Sequence, residues 1–447
     1  MILRKLTAAV ILSLTVSGIS ISQIKIGIAL PLMKNSDSEA DKATGEQILK
    51  GINEALSEYK NSGNSVKVDI RVEDTKKDPK ATLDAFNRFG SDSSIIAVFG
   101  PVFSIELANN AGAAAFHKMP VITPTATQNF LAEKNPYVFQ LNPTYDIRGR
   151  LMAEYAMNKL GMKNFLILSE SGYGKNFAES FFDEIKIKGG YASDIDYYSS
   201  DSQSFTSQIE KLKDKIFEKD KFIDFGNLTP AQKEIFKKIN FKFSNADSLS
   251  DAKLMVSIYR LFGKNADKIC DSLKLTPVVL SDKSLFEKGT IIPGYYDAVY
   301  IPVSGFGEIS TVAPAYFSSQ IKLPLLGTSD WNNEKALSDN KAYIKEIYFD
   351  SDFYIEGNSD KSERDTDDSE IRNYYFGYDG MKMLLDQISE GNKTREKMNE
   401  ALENLKYFKS AHNGIIMKGR TNHNMSVMSF RNGTLKKETD FELTDIK

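Results

Sequence analysis

The sequence predicts an α/β protein built on parallel sheets with helices on both faces. Three observations predict it. From Ile24 onward, short apolar or alternating runs take turns with stretches whose apolar residues recur every three to four positions. The third run, SIIAVFGP, is apolar throughout, as a strand buried on both faces must be. A β-α-β-α-β order of this kind closes only as a parallel sheet covered by crossover helices. The chain has 447 residues, and the part beyond its N-terminal leader suits two domains on the usual prior of ~150 residues each.

The leader, MILRKLTAAVILSLTVSGISIS (residues 1–22), has the layout of a secretory signal. Arg4 and Lys5 form a basic start, Ala8 to Val16 an apolar centre, and Ser20 and Ser22 a small-residue cleavage site. The apolar run is broken before it reaches the roughly 20 residues that a membrane span needs. No Cys follows it, so an N-terminal lipid anchor is not expected. The expected compartment is the periplasm.

IKIGIALPL reads as the first strand, and TGEQILKGINEALSEYK places Ile48, Ile52, Leu56 and Tyr59 on one helical face. VKVDIRVEDT alternates as a second strand, DPKATLDAFNRFG comes next as a helix, and SIIAVFGP is the third strand. A second set comprises the helix DIRGRLMAEYAMNKLG, the strand NFLILSES and the helix GKNFAESFFDEIKIKG. Residues 217–290 break the alternation and read as a helical insertion, with helices in SDAKLMVSIYRLFG and KNADKICDSLK. The pattern resumes at YYDAVYIPVSG and KLPLLGTSDWNNE. Asp360 to Glu370 is charge-dense but lacks the turn Gly of a calcium loop, so a solvated loop is expected. Asn432-Gly433 in MSVMSFRNGTLKKE is a hairpin turn signal.

Composition excludes several functions. Lys plus Arg number 57 and Asp plus Glu 60, a net charge of -3 with no basic block, which argues against a nucleic-acid partner. Cys270 is the only cysteine, so no intramolecular disulfide forms. His117, His412 and His423 are too scattered for a metal signature. Neither a GxSxG elbow nor a Gly-rich phosphate loop ending in GK[ST] occurs, and no enzyme, cofactor or metal is expected.

Two neighbouring strands end alike, in GPVFS and TPTAT, with small hydroxyl residues and no cation. Ligands of open parallel sheets sit beyond the carboxyl ends of the strands. Ser104 is the expected N-cap of the helix SIELANNAGAAAFHK, whose first amides have no partner within the helix and suit a carboxylate. The competing explanation is that Ser104, Thr125 and Thr127 only cap and turn.

The order IKIGIALPL, GEQILKGINEAL, VEDTKKDPKATLDAF, VFGPVFS, PVITPTAT, YVFQLNPT, ESGYGKNF and YDAVYIP resembles the type I periplasmic binding proteins, the leucine/isoleucine/valine-binding group in particular. The resemblance implies two doubly wound parallel-sheet lobes joined by a multi-strand hinge and closing on a ligand. It places lobe 1 at 23–143 and 349–411, and lobe 2 at 144–348 and 412–447. It also implies that Ser104, Thr125 and Thr127 bind the ligand's amino and carboxylate groups and that Tyr173 folds over it from the opposite lobe; a surface turn aromatic is the other reading of Tyr173. Family members place an acid soon after the Gly of the motif that here reads PLLGTSDWNNE; Thr328 and Ser329 come first here, with Asp330 displaced. Trp331 reads equally as an aromatic platform and as core. The implied function is capture of a small amino-acid-like ligand for an ABC permease. The stretch from YYDAVYIP to TSDWN also resembles a subset described as penicillin-binding-protein activators, for which the partner is a peptidoglycan synthase.

Overall fold

The computed structural model describes residues 24–64, 66–199, 202–238, 254–354, 368–409 and 414–443. The signal-like leader, the charge-dense stretch up to 367 and His412 lie outside them. Two sheets organise the chain. The first runs Met417–Lys418, Thr421–Asn422, Val138–Gln140, Val121–Thr123, Ile95–Phe99, Ile24–Leu30, Val68–Asp74 in spatial order. Its neighbours are parallel apart from the first pair. Strand Ile95–Phe99 lies near its centre and is buried along its whole length. Its residues divide between two cores: Ile96, Ala97 and Phe99 meet helices Glu39–Asn61 and Asp368–Ser389, while Ile95 and Val98 meet helices Pro79–Ser91 and Ser104–Phe116. The strand is thus covered on both faces, and a register shift against strand Ile24–Leu30, between Ile95 and Ala97, breaks strict alternation at its start.

The second sheet runs Thr434–Glu442, Asn424–Arg431, Glu346–Ser351, Leu325–Gly327, Ala298–Tyr300, Asn164–Glu170, Tyr191–Ala192, with Asp196–Tyr198 also paired to Asn164–Glu170. Asn432 and Gly433, at φ 51 and 78, form the expected hairpin turn between its last two strands. The chain passes between the sheets three times, at 141–144, after Ser351, and at His423.

These crossings shift the lobe boundaries from the sequence expectation. Strand Glu346–Ser351 lies wholly in the second sheet, so the exchange comes after 351 and not 348. Thr421–Asn422 pairs with Val138–Gln140 in the first sheet, which moves the last boundary from 411 to 422. The two-residue strands there are too short to carry a pattern.

The insertion also departs from expectation. Helix Ser202–Lys219 belongs to the second lobe's core through Phe205, Ile209, Leu212 and Ile216. The insertion beyond this helix is not purely helical: Phe222–Asp224, Met255–Ser257 and Ile291–Ile292 form a small mixed sheet. Its core includes Ile223, Phe225, Val256, Ile258 and Cys270. SDAKLMVSIYRLFG therefore splits at Ser257, which caps helix Ile258–Phe262 by accepting from the Tyr259 and Arg260 amides. Buried Asp220 ties the unit to the lobe, accepting from Ser257 Oγ and from the amides of Gly294 and Tyr295.

Candidate functional site

The two hydroxyl-rich strand ends are sewn to each other. Thr123 Oγ1 donates to Pro101 O and Thr125 Oγ1 to Val102 O, each at 2.7 Å. In return Ser104 Oγ accepts from the amides of Thr127 at 3.1 Å and Gln128 at 3.2 Å. Gly100, just after the strand, sits at φ 98, and a Cβ there would fall 2.0 Å from Ala29 O of the neighbouring strand Ile24–Leu30. Ser104 is thus not the N-cap expected from sequence. Phe103 holds that position with extended backbone, and the Glu106 carboxylate receives its amide at 3.3 Å.

This arrangement answers what the hydroxyls do locally and leaves them chemical capacity. A hydroxyl that accepts two N–H bonds keeps its own hydrogen to donate. Ser104 is half-buried and Thr127 8% exposed. The Thr127 carbonyl accepts from the Tyr145 amide at 3.0 Å, joining the strand end to the first helix of the second lobe.

Tyr173 opens helix Tyr173–Ile187, its ring edge-on to Tyr145 at 5.5 Å and Phe177 at 5.1 Å. Glu170 accepts from the amides of Gly172 and Gly174, filling the anion-attracting start of this helix from within the chain. Burial pushes the Tyr173 phenol well above its ordinary range; Asp330 pushes the same way, against Arg148. Asp330 comes after strand Leu325–Gly327 and is half-buried. Burial pushes its carboxyl up to about 6, with Arg372 and Arg148 pulling it down. Tyr173 and Asp330 therefore share one electrostatic neighbourhood.

Trp331 does not join them. It is fully buried in the second lobe's core, its indole N–H donating to Ile301 O at 2.9 Å. Gly327 packs so closely that a Cβ there would meet the indole at 2.3 Å. The platform alternative is thereby corrected: a ring enclosed on all sides offers no face to a ligand.

Sequence reasoning missed the charged cluster beneath Asp330. Arg148 donates to Asn142 Oδ1 and Ser329 Oγ, each at 2.6 Å, and to Asp352 Oδ2 at 2.9 Å. Asp352 also receives Asn142 Nδ2 at 3.0 Å and the Arg372 guanidinium. Against the upward push of burial, Arg372 and Arg148 hold Asp352 well below the usual carboxylate range. Asp350, fully enclosed, is pushed up to about 7 by burial despite Arg148. Three carboxylates thus face two guanidiniums where the chain crosses between the lobes. Arg372, with Phe353, Tyr375, Phe376 and Pro124, also lines a small cavity of about 40 Å³. One signal could have found the cluster: Asp350-Ser351-Asp352 stands at the carboxyl end of a strand, as GPVFS and TPTAT do.

Among the described residues no group of three or more His, Cys, Asp or Glu is placed to hold a metal, and no helix is long and apolar enough to cross a membrane.

The fold is similar to that of known proteins. Residues 23–216 match a family model described as periplasmic binding protein. The Leu/Ile/Val-binding protein BraC3 of Rhizobium johnstonii is 24% identical over 272 residues, 60% of this chain and 71% of the relative. The substrate-binding protein LivJ of a Streptococcus pneumoniae branched-chain amino acid transporter, solved with isoleucine, superposes with a TM-score of 0.54 at 17% identity, covering 94% of this chain and 99% of that one. An ABC-transporter solute-binding protein from Rhodopseudomonas palustris, solved with 3,4-dihydroxybenzoic acid, gives a TM-score of 0.56 at 13% identity, with 94% and 98% covered.

Proposed function

We propose that the chain is a type I periplasmic binding protein of the leucine/isoleucine/valine-binding family, and that it captures a small amino-acid-like solute between its lobes for an ABC importer. The solute's carboxylate accepts hydrogen bonds from Ser104 and Thr127, and its ammonium lies beside Asp330. Tyr173 covers it from the second lobe. The compartment is the periplasm, reached through the leader at residues 1–22.

One observation carries this reading. Ser104 Oγ is held by two amides at the end of one sheet, which fixes its position and leaves its proton as the donor. A solute that touches both lobes favours the closed form by its differential affinity for that form. The BraC3 and LivJ likenesses support an aliphatic amino acid, while the Rhodopseudomonas protein shows the same fold holding an aromatic acid.

The test is a thermal-shift screen of the full chain against the common amino acids and hydroxybenzoates, with calorimetry of each hit. A ligand at 100 times its dissociation constant adds about 2.7 kcal/mol to stability. Absence of any saturable small ligand would overturn the transport reading. It would favour an envelope scaffold acting on a peptidoglycan synthase, with the insertion and its separate core as the contact surface.

A further inference from the structure

A second cavity, of about 470 Å³, lies between the lobes and shares none of the ligand-contact residues proposed above. That volume is within the usual range for small-ligand sites. The first lobe contributes Phe130, Glu133 and the turn carrying Arg420; the second contributes Asp146 and Ile147 from helix Tyr145–Asn158, and Asp183 and Ile187 from helix Tyr173–Ile187. His423, on the third crossing, completes the wall.

Three observations point to an occupant. First, His423 is only 6% exposed, yet its Nδ1 finds no hydrogen-bond partner among the described residues. An orphaned buried nitrogen is costly and calls for an explanation. Burial, then Lys418 and Arg150, push its imidazole down to about 4, so the ring is neutral and Nδ1 can serve as an acceptor.

Second, the cations of the wall are committed, and two of its four carboxylates are not. Arg150 is bound by Glu184 at 2.9 Å and Asp146 at 3.3 Å. Lys418 is bound by Glu442 at 2.8 Å, and Arg420 by Glu403 at 2.7 Å. Glu133 and Asp183 have no ion pair among the described residues. With their counterions counted, the wall carries an excess of negative charge.

Third, Phe130 holds a left-handed backbone, φ 67, with its side chain 54% exposed. Non-glycine residues in that region are uncommon and cluster at functional sites. Its ring already stands 5.3 Å from the Lys134 ammonium, a cation–π distance. Ile187, 51% exposed, adds further apolar surface.

We propose that this cavity is a second ligand site, for a small organic ammonium ion with a short apolar body, held by Glu133 and Asp183 with His423 Nδ1 as acceptor and Phe130 and Ile187 against its carbon chain. Both lobes line the site, so an occupant whose affinity differs between open and closed forms changes solute affinity at the cleft, and the solute changes its affinity by the same factor.

The probe is n-butylammonium chloride, titrated calorimetrically into the full chain, with sodium butyrate and sodium chloride as controls at equal ionic strength. The variants are Asp183→Lys and Ile187→Trp, both at exposed positions, so that folding is preserved. The expected result is saturable binding of butylammonium and not of butyrate, with the dissociation constant raised at least about ten-fold in each variant. Absence of saturable binding, equal binding of butyrate, or unchanged affinity in both variants overturns the proposal. Ser104→Ala separates the two sites: it weakens the cleft solute and leaves the intrinsic butylammonium site intact. Failure here therefore leaves the transport reading standing.

Discussion

Arg148 Nη2 donates to Asp352 Oδ2 over 2.9 Å, and the two side chains are only 1% and 5% exposed. The pair joins helix Tyr145–Asn158 to the second of the three crossings. Two buried charges in low dielectric are costly unless matched, and removing one partner leaves the other uncompensated. Asp352→Asn should cost about 3–5 kcal/mol in urea denaturation. Arg148→Met with Asp352→Asn should lose less than the two single changes summed, because the coupling between these two charges is then removed once and not twice.

Asp350 sets a pH dependence of definite sign. Its folded pKa, about 7, lies above the ordinary value of 3.8, so the native state holds this proton more tightly than the unfolded chain. That contribution to stability is fully present below the unfolded pKa and is lost as pH rises towards 7. Asp352 runs the other way, stabilising at neutral pH and losing its contribution in strong acid. Asp350→Asn should flatten the fall of stability between pH 4 and 7, by up to about 1.4 kcal/mol per pH unit, and should show it in denaturation curves taken across that range.

Helices Glu39–Asn61 and Asp368–Ser389 cross at two glycines. A Cβ on Gly51 would lie 1.8 Å from Tyr374 O, and one on Gly377 would lie 2.0 Å from Ile48 O. Neither carbonyl can yield without moving its helix. Gly51→Ala or Gly377→Ala should destabilise by about 1–3 kcal/mol or more, read as a lower denaturation midpoint with an unchanged slope.

Tyr173 should affect kinetics more than folding. Its ring packs against Tyr145 and Phe177 at the start of its helix. If it covers the solute only after closure, Tyr173→Ala raises the dissociation rate more than it slows association, which stopped-flow fluorescence with the screened ligand would resolve.

The strand-end rule makes the first lobe legible, because SIIAVFGPVFS and PVITPTAT carry both the apolar run and the hydroxyls just after it. EIYFDSD obeys the same rule, with Asp350 and Asp352 at a strand end, yet its acids say nothing of the buried guanidiniums that turn them into a cluster. Arg148 and Arg150 lie two apart in one helix, and nothing local tells that the first meets Asp352 and the second Glu184; only the tertiary fold does. Trp331 stood equally for platform and core because a lone Trp after a strand fits both, and the close approach of Gly327 decides between them. The insertion's strands, two or three residues each, fall below the length at which alternation can be read.

The central claim is that the hydroxyls at two adjoining strand ends and Asp330 hold the two ends of one small solute. Isothermal calorimetry of Ser104→Ala, Thr127→Val and Asp330→Asn with the ligand returned by the screen tests it most directly. Each hydroxyl removal should weaken binding by about three-fold to a hundred-fold, corresponding to roughly 0.5–3 kcal/mol, and Asp330→Asn should weaken an amine-bearing ligand by at least as much. Unchanged affinity in all three variants would contradict it, leaving the hydroxyls as local ties between strand ends and Asp330 as part of the buried charge cluster alone.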